Sequence, residues 1–317
     1  MTKILAGIVI YNPDLDKLHQ NLSAIFPQVD RMIVVDNGSL NFNQAKSLLP
    51  PETIVVHNER NLGIATALNQ ILQYALDYDF DWALTLDQDS VVADNMISVY
   101  RKVAASNQHL GVICCRYRDR NFAAPDDRLT RNCYVYSCIT SASLVNVKAW
   151  QEIGGFDDYM FIDSVDHDFN HRLWKAGWGV FKTIDTELLH ELGKSLKTMS
   201  FFGHKYKIYN HSSLRYYYIS RNGVYETRKN ASFVMALYGA LHHFFLIFLV
   251  WRFEPHKVAK TIKIIQGTVA GLTCSITKHV PRDKQPLNIL NGGGKYLINP
   301  MPFIRLLAIY EERKIAA

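Results

Sequence analysis

The sequence predicts an α/β fold, a mainly parallel sheet flanked by helices, with an apolar and basic helical extension at its C-terminal end. Three observations carry that reading. Short apolar runs alternate with helix-period stretches through roughly the first hundred residues. Each of those runs ends in a cluster of small or polar residues. The Lys/Arg surplus is confined to the end of the chain, around a long stretch without formal charge.

Taken in order, residues 4–10, 32–35, 53–57 and 82–86 read as strands, and residues 15–25, 65–76 and 95–105 as helices. The rhythm is βαβ. The N-terminal run MTKILAGIVIYNP has one lysine and no small-residue cleavage site, so it reads as the first strand and not as a signal peptide. With 317 residues and 48% hydrophobic composition the chain buries a large core. It divides into a catalytic-sized domain over residues 1–225 and an appended region over 226–317. Cys114, Cys115, Cys133, Cys138 and Cys274 are odd in number and contain no CxxC pair. That excludes a disulfide framework and a cysteine zinc site as readings, and a reducing cytosol fits.

Open α/β sheets bind ligands beyond the carboxyl ends of their strands. The strand ends here are Tyr11-Asn12-Pro13, Asp36-Asn37-Gly38-Ser39, residues 58–63 and Asp87-Gln88-Asp89-Ser90. Singly, each is an ordinary turn; four in succession on one sheet edge mark a ligand site. Residues 115–135, charged and interrupted by Pro125, read as a solvated loop or irregular hairpin, with a lid as the functional alternative.

Asp-x-Asp recurs at Asp14/Asp16, Asp77/Asp79, Asp79/Asp81, Asp87/Asp89 and Asp166/Asp168, so only context separates the pairs. Asp87 and Asp89 follow the apolar run Trp82-Ala83-Leu84-Thr85-Leu86, which sets two carboxylates at the sheet edge. A hard divalent ion takes such oxygen ligands and bridges them to phosphate. The other acidic cluster runs from Phe161 to Arg172. On a helix, Asp168 and Arg172 form an i,i+4 pair, and Phe169, Leu173 and Trp174 form the buried face. Asp166 then sits in the first turn, where the helix dipole favours an ionised carboxylate fit to act as a general base. The alternative is that Asp163 or Asp166 is only a helix cap. His167 and His171 read as partly exposed helix residues, and His190, after another apolar stretch, as either structural or a ligand.

Together these residues resemble the inverting family 2 glycosyltransferases of GT-A fold, and within them the bacterial rhamnosyltransferases. The resemblance covers roughly residues 4–225. It rests on Val35 to Ser39, Asn61 to Ala65 with Asn69, Leu86 to Ser90, Gly154-Gly155-Phe156-Asp157 with Phe161-Ile162-Asp163, His190 to Gly193, and Arg215 to Asn222. It implies a Rossmann-like mixed sheet, with Tyr11, Asn12, Asp36, Asn61, Gly63, Asn69, Asp87 and Gln88 at the donor nucleotide. Asp87, Asp89 and His190 would hold Mg²⁺ or Mn²⁺, and Asp166 would be the general base. Asp163, Asp168 and Arg172 are secondary or acceptor-side candidates. Ala142 stands where such proteins commonly have glycine. The implied reaction moves L-rhamnose from dTDP-β-L-rhamnose to a polyprenyl-diphosphate-linked glycan of an O-antigen or surface polysaccharide. A UDP-sugar donor is the alternative within the class.

Residues 228–317 hold 13 Lys/Arg against 4 Asp/Glu, whereas residues 1–227 hold 22 against 25. Residues 231–251, 21 in all, carry no formal charge, which argues for an anionic membrane surface as partner and against nucleic acid. As a helix the stretch measures about 31 Å, enough to cross a bilayer core. His242-His243 at its centre and basic residues on both flanks favour an interfacial or monotopic helix on the cytoplasmic face of the inner membrane. A buried or homodimer-forming helix is the alternative. A nucleotidyltransferase is disfavoured by the lack of an early Gly-rich phosphate loop, and a glycoside hydrolase would need no nucleotide. A non-catalytic membrane assembly subunit would need neither Asp89 nor Asp166.

Overall fold

The computed structural model describes residues 2–120, 129–190, 197–201, 204–208 and 210–276. In chain order the strands are β1 (Ile4–Ile10), β2 (Arg31–Asp36), β3 (Ile54–His57), β4 (Trp82–Asp87), β5 (Val91–Val92), β6 (Leu110–Asp119), β7 (Cys133–Tyr134), β8 (Ser143–Asn146), β9 (Gly179–His190), β10 (Lys197–Phe201) and β11 (His204–Ile208). The helices are α1 (Leu15–Ile25), α2 (Phe42–Lys46), α3 (Ile64–Asp77), α4 (Met96–Ser106), α5 (Val147–Glu152), α6 (Val165–Lys175), α7 (Ser213–Asn230), α8 (Phe233–Phe253) and α9 (Lys257–Thr273).

The chain divides into two compact units. Among the described residues, one comprises residues 2–120, 129–161 and 168–190, and the other residues 162–167, 197–201, 204–208 and 210–276.

In the first unit the sheet runs β3-β2-β1-β4-β8-β6-β9-β5, with β7 also on β9. Its first four strands are parallel, and β8 and β5 enter antiparallel. The sheet is therefore mixed, not mainly parallel, because β8 reverses direction beside β4. Strand β1 is buried along its whole length, as a central strand covered on both faces must be. Ile4, Ala6, Ile8 and Ile10 share a core with Leu18, Leu22 and Ile25 of α1 and Met96, Ile97 and Tyr100 of α4. On the opposite face a Cβ at Gly7 would meet the side chain of Ile71 in α3 at 2.3 Å. Only glycine lets α3 lie so close.

The expected loop over residues 115–135 is corrected at its ends. Strand β6 continues to Asp119, and β7 pairs with β9 and not with β6, so no hairpin forms among the described residues. Residues 121–128 of that stretch lie outside the described residues, as do Glu191 to Gly193 and residues 277–317.

In the second unit α7, α8 and α9 pack together, and β10 and β11 form a two-stranded antiparallel sheet. A Cβ at Gly267 would meet the Tyr217 carbonyl at 2.3 Å and one at Gly271 the Arg221 carbonyl at 2.5 Å, so small residues at four-residue spacing seat α9 on α7. Glu254 and Lys260, both almost fully buried, pair at 2.7 Å, and the Tyr216 hydroxyl donates to Glu254 at 2.6 Å. Helix α8 is the apolar stretch read from the sequence, long and apolar enough to cross a membrane. Phe233, Val234, Leu237, Leu241, Phe244 and Trp251 on α8 and Val258, Ile262, Ile265 and Val269 on α9 are exposed. His243 turns toward α9, its Nδ1 2.6 Å from Thr268 Oγ1.

Candidate active site

The parallel register places Asp36 beside Ile10 and Asp87 beside Val9, so β1, β2 and β4 end at one edge. Beyond β4 the chain turns at Asp87 to Ser90, where Ser90 N–H donates to the Asp87 carbonyl, and then enters β5. Strand β5 lies antiparallel to the end of β9, with Val91 opposite Leu189 and Val92 opposite Leu188. That register carries Ser90 next to His190. Asp87, Asp89 and His190 consequently offer three ligand atoms all within 4.8 Å of one another.

His190 is buried. Its Nδ1 is 3.0 Å from Ser90 Oγ and 3.5 Å from Asp89 Oδ1, and its Nε2 is 3.8 Å from Asp87 Oδ2. Ser90 Oγ is 2.7 Å from Ser141 Oγ, which accepts the Asp87 N–H at 3.1 Å. The pattern is satisfied when Nδ1–H donates to Ser90, which leaves the Nε2 lone pair on the side of Asp87. Burial of Asp89 opposes its charge, but the hydrogen bond and charge of His190, a backbone N–H and Lys17 prevail and hold its pKa below the ordinary carboxylate value. Two carboxylates and one oriented imidazole suit a small divalent ion bound to phosphate oxygens.

The family profile described as glycosyl transferase family 2 matches residues 6–165, half of the chain. The chain belongs to family 2 of the glycosyltransferases. It is 26% identical to the dTDP-rhamnosyl transferase RfbF of Shigella flexneri over 292 residues, covering 86% of this chain and 96% of that one. Among solved structures it resembles the mannosyltransferase PcManGT of Pyrobaculum calidifontis, solved with GDP-Man and Mn²⁺, at TM-score 0.54 and 14% identity over 86% of this chain and 87% of that one. It also resembles GalNAc-T7, solved with UDP, GalNAc and Mn²⁺, at TM-score 0.54 and 12% identity, where 72% of this chain spans about half, 48%, of the other. The GT-A-like fold predicted from the sequence is thus the fold observed.

The other residues of the transferase singled out from sequence divide into those at the edge and those spent on scaffold. Tyr11 is half exposed, and its N–H donates to Gln88 Oε1 at 2.7 Å. Asn12, with φ +47, donates its N–H to Ser39 Oγ and accepts the Leu40 N–H. Asn61 Oδ1 accepts from Asn37 Nδ2 and from the N–H of Gly63. Gly63 has φ +90, and a Cβ there would strike Phe161, which only glycine avoids.

Four of the expected site residues are engaged by other groups of the protein. Asp36 is fully buried, its carboxylate bound to His57 Nδ1 at 2.8 Å and to the Gly38 and Ser39 N–H groups. It shapes the turn from within. Asn69 Oδ1 accepts from Trp150 Nε1 and Phe156 N–H, while its Nδ2 donates to the Phe156 carbonyl and Asp158. All four positions of its amide go to the 150–158 segment, so none is left for a nucleotide. Asp168 and Arg172, offered as acceptor-side residues, are both fully buried. They pair at 2.8 Å, and Arg172 also donates to the Ile153 carbonyl at 2.8 Å, which braces α6 against the end of α5.

Ser141 and the role of Ser90 were missed. Ser90 ended a quoted motif, but a serine hydrogen-bonded to a histidine 100 residues away leaves no local sequence signal. Asp166 lies in the first turn of α6, partly buried, with Oδ1 accepting the His167 N–H at 2.9 Å. Asp163 has φ +66 and pairs with Arg215 at 3.0 Å, so it caps nothing through its side chain. Ala142, buried, has φ +56, a backbone better suited to the glycine common at this position.

Proposed function

We propose that this glycosyltransferase moves L-rhamnose from dTDP-β-L-rhamnose to a hydroxyl of a polyprenyl-diphosphate-linked glycan, with inversion, in O-antigen or surface-polysaccharide synthesis. The convergence of Asp87, Asp89 and His190 on one point of the sheet edge carries the reading. The named activity of the Shigella flexneri relative, matched over nearly its whole length, favours dTDP-rhamnose as donor.

Mg²⁺ or Mn²⁺ held by Asp87, Asp89 and His190 would neutralise the departing nucleoside diphosphate. Ser90 and Ser141 hold His190 and the Asp87 backbone in place for that task. Tyr11, Asn12, Asn61, Gly63 and Gln88 shape the edge on which the nucleotide lies, with Asp36 and Asn69 supporting it from within. Asp166 accepts the proton of the acceptor hydroxyl. The acceptor oxygen forms its bond to the anomeric carbon as the bond to the diphosphate oxygen breaks, and that electron pair leaves with dTDP. The product is an α-L-rhamnoside.

Residues 1–225 form the catalytic domain in this reading, and residues 226–317 hold it to the cytoplasmic face of the inner membrane. The apolar face of α8 and α9 enters the interface, and the basic residues of the tail meet anionic lipid. Incubation with dTDP-β-L-rhamnose, Mn²⁺ and a lipid-linked acceptor in anionic vesicles should release dTDP and yield an α-linked product. Asp166→Asn should slow turnover by about 10²–10⁴-fold, the usual weight of a general base. Retained β configuration, or turnover with UDP-sugars alone, contradicts the reading.

A further inference from the structure

The chain entering α6 carries two consecutive non-glycine residues with left-handed backbone, Asp163 at φ +66 and Ser164 at φ +63. An L residue is strained in that region, and such a pair persists only where its surroundings over-determine it. Here the surroundings are supplied by α7. Arg215 grips the Asp163 carboxylate at two points, Nη2 to Oδ1 at 3.0 Å and Nε to Oδ2 at 3.3 Å. Asn222, seven residues on and so on the same face of the helix, is fully buried. Its Nδ2 donates to the backbone carbonyls of Ile162 at 2.7 Å and Asp163 at 3.0 Å. Its Oδ1 accepts from Arg221 Nε at 2.8 Å, which fixes the amide with its donors toward those carbonyls. Residues 162–167, Asp166 among them, accordingly belong to the same compact unit as α7, α8 and α9.

We propose that Arg215 and Asn222 are positioning residues for Asp166. They hold the left-handed turn at residues 163–164 that sets where α6 begins, and so where its first-turn carboxylate stands. The inference rests on Asp166 being the general base.

The test compares Arg215→Ala, Arg215→Lys, Asn222→Ala, Asp166→Asn and the Arg215→Ala/Asp166→Asn pair in the full-length protein. A base displaced by about 1 Å loses on the order of 10²-fold in rate. Arg215→Ala and Asn222→Ala should lower kcat to that extent, with KM for the donor and Mn²⁺-dependent dTDP affinity unchanged within about twofold. Arg215→Lys, which keeps the charge without the two-point grip, should recover part of the loss. Adding Arg215→Ala to Asp166→Asn should cost little more, because both act on one group. Full activity of Asp166→Asn removes the base reading itself. A damaging Asp166→Asn beside unchanged kcat in Arg215→Ala and Arg215→Lys overturns the positioning role alone. So does a loss of kcat that comes with an equal loss of dTDP affinity, or one that adds fully to Asp166→Asn. If Asn222→Ala does not fold, the two Arg215 variants decide, since that side chain is nearly half exposed.

Discussion

His190 meets Asp87 and Asp89 in an orientation set by Ser90, and Ser90 is in turn held by Ser141. A hydrogen-bond partner of this kind usually changes metal affinity by about 10–100-fold. Ser90→Ala should therefore weaken Mn²⁺ binding by that factor, read by calorimetric Mn²⁺ titration in the presence of dTDP, with little change in secondary structure. Single residues were legible in the sequence where their neighbours in the chain explain them. Asp87 and Asp89 at the end of an apolar run, and Asp168 with Arg172 at helical spacing, are such cases. What sequence could not supply was burial: Asp168, Arg172 and Asp36 are all enclosed and spent on other protein groups, and Asn69 is spent in the same way. Polar residues look alike in sequence whether they face a ligand or brace a turn.

Among the elements, β1 to β4 and α1 and α3 were legible because buried parallel strands read as unbroken apolar runs between helix-period segments. Strands β5, β7 and β8 are two to four residues long and give no periodicity to read. Strand β9 interleaves Lys182, Asp185 and Glu187 with apolar residues and was not recognised, although it delivers His190. The contact of α9 with α7 was also invisible, since Gly267 and Gly271 speak only through what lies against them. A methyl group at Gly267 would need the Tyr217 carbonyl to move. Gly267→Ala should destabilise the helical unit by about 1–3 kcal/mol, as overpacking does. Urea unfolding followed by near-UV circular dichroism would show it as a lowered midpoint.

At the scale of the molecule, half-buried His211 ties stability to pH. Burial, aided by Arg215, depresses the pKa of His211 from 6.5 to about 4. The unfolded chain therefore binds this proton more readily than the folded one. The stability contributed is complete above about pH 6.5, declines as pH falls from there to about 4, and is gone below. Urea midpoints measured across that window should fall, and His211→Gln should fall less steeply; equal slopes would remove His211 as the cause. The charge division of the chain, −3 over residues 1–227 and +9 over residues 228–317, was legible in full from the sequence, as was the length of α8. The turn of His243 toward Thr268, which satisfies a polar group that seemed misplaced in an apolar helix, needed the structure.

The proposed function requires Asp87, Asp89 and His190 to form a metal-dependent site for a thymidine nucleotide. The most direct measurement is calorimetric titration of the protein with dTDP and with UDP, with and without Mn²⁺, repeated on Asp89→Ala. The expected result is dTDP binding that requires Mn²⁺, exceeds UDP binding and disappears in Asp89→Ala. Binding of neither nucleotide by folded protein, or dTDP binding indifferent to both Mn²⁺ and Asp89, would contradict it.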